Sequence, residues 1–135
     1  MRVVIDTNVL VSFAIRPNRN FERIFNHIVA IGVCLVSEDT IGELLDVLRR
    51  DKFRKYIPLD QSLDYVEWYA AISELIAVTE HVTACVDPKD DKFLSLAVAG
   101  QADCILAGDS DLLDMTNFRG IPIYNPSTFS RLFLG

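Results

Sequence analysis

The sequence predicts an α/β fold, a three-layer α/β/α sandwich around a mostly parallel sheet of four to five strands. Short apolar runs rich in β-branched residues recur along the chain, as expected for strands that are buried on both faces. Stretches with apolar residues at helical spacing separate these runs, and right-handed crossovers then place helices on both faces of the sheet. The 135 residues contain no internal repeat or linker, so we expect one domain spanning residues 1–135.

Four runs have the composition of strands. They cover residues 3–5 (VVI), 33–36 (VCLV), 104–107 (CILA) and 121–124 (IPIY). The first three are continuous and apolar, which is typical of buried parallel strands. The fourth contains Pro122, which has no backbone N–H to donate, so we expect it at an edge of the sheet.

Five helices are predicted from apolar stripes and end signals. Either Ser37 or Asp39 is expected to cap the second helix. Asp87 followed by proline opens the fourth, and Gly100 closes it. The predicted helices cover residues 20–31, about 39–48, about 60–78, about 88–99 and 127–133.

Composition narrows the class of protein. Half of the residues are hydrophobic, yet no uninterrupted apolar run approaches the roughly 20 residues that span a bilayer, so we expect a globular, cytoplasmic protein with no membrane partner. The three cysteines, Cys34, Cys85 and Cys104, are odd in number and widely spaced. This usage favours reduced thiols over disulfides or a zinc site.

Charge is unevenly distributed along the chain. The formal net charge of −6 by itself disfavours binding to nucleic acid. Basic residues concentrate in 16–23 and 49–55, however, and acidic residues in 87–91 and 109–114. Basic patches beside an acidic pocket suit a substrate whose phosphates contact Lys and Arg while metal ions bridge the rest. A solvated helix face explains any single basic residue equally well.

Four acidic residues are expected to meet at one rim of the sheet. Asp6 directly ends the first predicted strand, and Asp109 lies two residues beyond the third. Glu43 lies about one turn into the helix after the second strand, and Asp90 lies in the first turn of the helix that opens at Asp87. Ligands of open parallel sheets bind outside the carboxyl ends of the strands, where the following helices also begin.

Such a cluster predicts a site for divalent cations. Close carboxylates are costly unless protons or cations compensate their charge. Mg²⁺ prefers oxygen ligands and typically combines a few carboxylates with water and substrate phosphates. Two such ions, about 4 Å apart, can activate a water and stabilise the leaving oxygen during cleavage of a phosphodiester. The sequence contains no Walker loop or GxGxxG motif that would indicate other phosphate chemistry.

Structural roles compete with the metal interpretation for each acid. Asp87 before a proline is a good helix cap, and we favour that role for it. Asp91 is expected to be a solvated neighbour or a support for the ligands. Asp109 and Asp111 also fit a turn. Asp6 is the hardest to explain structurally, because a charge that closes a buried strand seldom adds stability, and this favours a functional role.

The acidic candidates lie in four segments, VVIDTNVLVS, SEDTIGELLDVL, DPKDDKFLSLAVAGQAD and ILAGDSDLL. These segments resemble the motifs of the PIN-domain family, especially the VapC-like toxin components of toxin–antitoxin pairs. The resemblance covers essentially the whole chain. Together the four segments are highly specific, whereas the D-T-N of the first segment alone is weak.

The resemblance implies Mg²⁺- or Mn²⁺-dependent cleavage of RNA, a cognate antitoxin protein and a homodimer. It implies a catalytic, metal-binding set formed by Asp6, Glu43, Asp90 and Asp109. Further residues implied to support this set are Asp111, as an additional acid, Asp91, and Asn8 and Thr7, which would order the first carboxylate. Asp90 is preferred to Asp91 because its spacing to the apolar residues that follow matches the family.

Two other functions share part of this pattern. A haloacid-dehalogenase-like phosphatase also begins with an aspartate at a strand end, but its D-x-D motif would need an acid where this chain has Asn8. A PIN module that binds RNA or a protein after its catalysis has decayed shares every motif. The complete set of four acids disfavours decay.

Overall fold

Six strands and seven helices make up the chain, and the computed structural model describes all of residues 1–135. The strands are β1 (Arg2–Ile5), β2 (Val33–Val36), β3 (Glu74–Leu75), β4 (Cys104–Leu106), β5 (Asn117–Phe118) and β6 (Ile121–Tyr124). The helices are α1 (Thr7–Ile15), α2 (Arg19–Ile31), α3 (Glu38–Leu48), α4 (Leu59–Ile72), α5 (Asp91–Ala99), α6 (Ser110–Met115) and α7 (Pro126–Phe133). Two short 3₁₀ turns, Asp51–Phe53 and Pro88–Asp90, lie ahead of α4 and α5.

The sheet has the strand order β3-β2-β1-β4-β6-β5. Every neighbouring pair is parallel except β5 and β6. This confirms the predicted α/β sandwich with a mostly parallel sheet. There are more strands than the four to five expected, because β3 and β5 contain only two residues each and are too short to show a periodic pattern.

Side chains of the central strands alternate between the two helical layers. Val3 and Ile5 pack into a core shared with α1, α2, α3, α4 and α7, whereas Val4 packs into a second core with α5 and α6. The alternation follows from the two-residue period of a strand, and it accounts for the continuous apolar runs that predict these strands. None of the helices has both the length and the hydropathy that crossing a membrane requires.

The helix predicted over 60–78 is wrong at its carboxyl end. Helix α4 ends at Ile72, and Ser73 adopts an extended conformation. Glu74 and Leu75 then pair with β2 as strand β3. Leu75 happens to continue the apolar spacing of the helix, but pairing with the open edge of β2 outweighs that local pattern.

The expectation that the Pro122 strand lies at an edge is also wrong. Strand β6 lies between β4 and β5, so β5 forms that edge. The pairing of β5 with β6 involves only two residues on each strand, and a proline there costs at most one hydrogen bond. The connecting turn contains Arg119 and Gly120 at φ values of 50° and 82°, as a tight two-residue hairpin requires.

Helix α1 is not among the predicted helices. Its buried residues include Val9, Leu10, Val11 and Phe13, which spread over more than half of the helix circumference. A helix that is apolar all round has no one-sided stripe, so periodicity does not reveal it. Its position matters for function, because it begins at the carboxyl end of β1.

Candidate metal centre

Four acidic side chains from separate parts of the chain line one cavity of about 180 Å³ at the carboxyl rim of the sheet. Strands β1 and β4 run side by side, so Asp6 after β1 and Asp109 after β4 emerge together. Helix α3 contributes Glu43, and the turn ahead of α5 contributes Asp90. The structure therefore brings together the four acids that the sequence singles out. Asp87 also lines the cavity.

Asp6 is buried and fully engaged by backbone N–H groups. Its Oδ1 accepts a hydrogen bond from Val9 at 2.8 Å and caps α1, while its Oδ2 accepts from Gly108 at 3.0 Å and from Asp109 at 3.4 Å. Burial raises the pKa of Asp6 to about 6, although the three N–H donors oppose this change. Contrary to the expectation from sequence, this carboxylate has a clear structural role as a helix cap.

Asp90 is the carboxylate without a structural partner. Only 8% of its surface is exposed, and its Oδ2 is buried with no hydrogen-bond donor. Burial first, and then the neighbouring carboxylate of Asp109, raise the pKa of Asp90 to about 7. A buried oxygen without a donor costs free energy unless a proton or a cation occupies its side of the cavity.

Glu43 is held by two side-chain donors. The Thr7 hydroxyl donates to Oε2 at 2.5 Å, and the Lys92 ammonium donates to Oε1 at 2.8 Å. Thr7 therefore orders Glu43, and not the first carboxylate as the resemblance implies. Asn8 is exposed and lines the cavity. Sequence reasoning missed Lys92, whose only signal was its place directly after two aspartates.

Asp91 supports the loop ahead of α5 and does not line the cavity. Its Oδ1 accepts hydrogen bonds from the backbone N–H groups of Ala84 at 3.0 Å and Cys85 at 2.7 Å. The Ala84 N–H contributes most to a lowered pKa of Asp91. Asp87 accepts from the Lys89 N–H at 3.0 Å and so caps the 3₁₀ turn. Of the two adjacent acids, the structure thus places Asp90 in the cavity.

Asp91→Ala is expected to lower the free energy of unfolding by about 1 kcal/mol, because two N–H groups lose a charged acceptor at a partly exposed site. Binding of Mn²⁺, measured by titration calorimetry, should be unchanged. Asp114→Ala provides the control in a chemical denaturation series, because Asp114 is exposed and should have little effect. Loss of Mn²⁺ binding with full stability would instead make Asp91 a ligand.

The donor set of the cavity fits a hard divalent cation. Asp90, Asp109 and Asp111 offer ligand oxygens that all lie within 4.8 Å of one another. The Oδ2 atom of Asp90 is free to coordinate, and Oδ1 of Asp6, which accepts a single backbone hydrogen bond, keeps a further lone pair. Oxygen ligands with few nitrogen or sulfur donors are the set that Mg²⁺ and Mn²⁺ prefer.

The chain is thus a mostly parallel α/β sandwich whose carboxylates converge at the carboxyl rim of the sheet, an arrangement that suits a divalent cation. The profile of the PIN domain matches residues 2–111, and the chain belongs to the PIN-domain family. The resemblance inferred from the four motifs is thereby confirmed. The phosphatase alternative belongs to a different family and is set aside.

The chain is also similar to one curated relative in sequence and to several solved structures in fold. The uncharacterized protein MJ1680 of Methanocaldococcus jannaschii is 29% identical over 120 residues, which cover 85% of this chain and 75% of that protein. VapBC2 from Rickettsia felis, bound to a DNA fragment from their promoter, has a TM-score of 0.69 at 13% identity, covering 93% of this chain and 98% of that chain. VapC20 of Mycobacterium tuberculosis, a Sarcin-Ricin loop cleaving toxin, has a TM-score of 0.57 at 10% identity, covering 89% and 98%. Likeness at these identities concerns the fold.

Proposed function

We propose that this PIN-domain protein is a Mg²⁺- or Mn²⁺-dependent endoribonuclease and the toxin of a toxin–antitoxin pair. The observation that carries the proposal is the buried Oδ2 of Asp90, which has no donor and lies in a cavity lined by four further acids. Asp6, Glu43, Asp90 and Asp109 would hold the cation, with Asp111 beside them. Either one or two bound cations would leave room for water and a substrate phosphate.

The residues around the cavity would have different roles in hydrolysis. The bound cation would polarise the phosphodiester and lower the pKa of a water molecule so that it can attack phosphorus. Thr7 and Lys92 fix the orientation of Glu43, and the backbone donors fix that of Asp6. Arg50 and Lys89 line the same cavity, and their charges suit the phosphate oxygens of RNA. The acids without a cation would repel that backbone.

A protein partner is part of the proposal. An apolar groove of about 640 Å³ runs between α2 and α4 and is lined by Phe21, Phe25 and Trp68. Trp68 is 46% exposed, and Val29 beside it is 55% exposed. Exposed apolar side chains grouped in this way mark contact surfaces. We assign this face to protein contacts, with a cognate antitoxin and a second copy of the chain as the partners, which the likeness to VapBC complexes supports.

The test is cleavage of a structured RNA by the purified protein in Mg²⁺, in Mn²⁺ or in EDTA. Asp90→Asn is the variant of choice, because Asp6 also caps α1 and its substitution would disturb the fold. We expect cleavage that requires the cation and that is lost in Asp90→Asn. Cleavage that persists in EDTA, or equally in Asp90→Asn, would contradict the proposal. A folded protein that binds Mn²⁺ but cuts no RNA would favour a binding module.

A further inference from the structure

A second and larger cavity adjoins the acidic one. It measures about 550 Å³, and Asn8, Val47 and Arg50 line both cavities. Because the two cavities share these lining residues, a substrate that reaches the carboxylates can extend into the second cavity. Its volume lies within the range of about 300–1,000 Å³ that is usual for sites of small ligands.

The two cavities differ in charge and in polarity. No acidic residue lines the second cavity, whereas five acids line the first. The charged residues of the second are the cations Arg50 and Lys52. Arg50 lines both cavities and therefore lies at the boundary between the acidic cavity and the positively charged one.

Aromatic and aliphatic side chains form much of the second cavity. Phe21 and Phe53 are half-buried and line it together with the buried residues Val9 and Val11. The ammonium of Lys52 lies 5.1 Å from the centroid of the Phe53 ring, so a positive charge is held against an aromatic surface. A flat apolar group attached to an anion matches these features.

From these features we propose that the second cavity binds the base of an unpaired ribonucleotide next to the phosphodiester that is cleaved. The inference rests on the proposed function, since it extends the same site to a further nucleotide. Phe53 stacks on the base, Lys52 contacts the nucleotide phosphate, and Arg50 contacts the phosphate between the two cavities. Bases within a duplex are stacked and paired, so only an unpaired or extruded nucleotide can enter.

The experiment measures binding of the four ribonucleoside 5′-monophosphates to the full chain in EDTA, by NMR titration of the Ser12 and Phe53 backbone amides. Because EDTA removes divalent cations, which the acidic cavity would need to bind a phosphate, the binding measured in this way reports on the second cavity. The variants are Lys52→Ala and Phe53→Leu, the latter because Phe53 also packs against the core and leucine keeps it apolar.

The chain supplies a matched control pair for these variants. The Lys55 ammonium lies 5.1 Å from the ring centroid of Tyr56, which repeats the geometry of Lys52 and Phe53 outside the cavity. Lys55→Ala and Tyr56→Leu therefore remove the same charge and the same kind of ring from the same basic stretch.

We expect Phe53→Leu to weaken the binding of at least one monophosphate by about tenfold, the usual contribution of stacking on one base. Lys52→Ala should weaken it by about tenfold as well, because it removes a charged contact with the phosphate, while the control pair changes it less than about twofold. Equal losses in the control pair, or no saturable binding to the parent, would overturn the inference. Cation-dependent cleavage of RNA without monophosphate binding overturns this inference alone. If the protein binds a monophosphate but cuts no RNA, the inference about the second cavity stands and the proposed function is overturned.

Discussion

Asp90→Asn is expected to abolish high-affinity binding of Mn²⁺ and to lower cation-dependent RNA cleavage roughly a thousandfold, since a lost ligand removes several kcal/mol of stabilisation in the transition state. The same change should leave the cation-free protein at least as stable as the parent. The Oδ2 of Asp90 accepts no hydrogen bond, and Asp109 lies beside it, so neutralising Asp90 removes repulsion without breaking a contact.

Three measurements on the same preparation separate these effects: Mn²⁺ titration, initial cleavage rate, and chemical denaturation in EDTA. Asp91→Asn is the matched variant, because it removes the same charge one residue away, where the carboxylate accepts hydrogen bonds from the loop ahead of α5. It should retain Mn²⁺ binding. If Asp90→Asn unfolds more readily than the parent in EDTA, the Asp90 carboxylate stabilises the fold and its role is not confined to the cation.

The cation-free protein should become less stable as pH rises from about 4 to about 7. The pKa values of Asp6 and Asp90 are raised from 3.8 to about 6 and about 7, so between these limits the folded chain holds protons that the unfolded chain has released. Stability is then greatest below the unfolded pKa and is lost as pH rises through the folded pKa. The expected loss is on the order of several kcal/mol, because burial raises both pKa values and a tenfold change in an acid dissociation constant corresponds to about 1.4 kcal/mol.

Denaturation in urea between pH 4 and 8, with EDTA or with saturating Mg²⁺, measures this loss. Mg²⁺ binds the deprotonated carboxylates and should remove most of the pH dependence. Asp90→Asn should flatten the EDTA curve in part. The carboxylates whose pKa is lowered, Asp91, Glu74 and Glu80, add stability as pH rises to about 5, so the loss is measured above that pH. A stability that rises between pH 5 and 7 in EDTA would contradict the prediction.

The position of the site followed from the sequence because it depends on strand direction alone. Once 3–5 and 104–107 are predicted to run parallel in one sheet, Asp6 and Asp109 must emerge at one rim, and the structure places them there. Spacing to later apolar residues favoured Asp90 over Asp91, and the structure places Asp90 in the cavity, with Asp91 on the loop. The first inference needed only backbone direction, and the second used the spacing of the motif in the family that the chain resembles.

Side-chain contacts between distant segments could not be obtained in that way. The Lys92–Glu43 ion pair joins residues 49 positions apart, and no local pattern encodes it. The structural role of Asp6 was missed for a related reason, because the helix that it caps lacks a one-sided apolar stripe. The second cavity lies at the junction of α1, α3 and the turn at 51–53, so it exists only when these elements are packed together.

The cap that Asp6 provides for α1 bears on how this chain would change over generations if the proposed cleavage of RNA were no longer under selection. Asp6 would still be retained, because its two oxygens tie α1 to the loop after β4. Asp90, whose buried Oδ2 accepts no hydrogen bond, would be the first of the acids to be substituted. The identity of the residue at position 90 is therefore a better indicator of an active nuclease among descendants of this chain than the aspartate in its D-T-N motif.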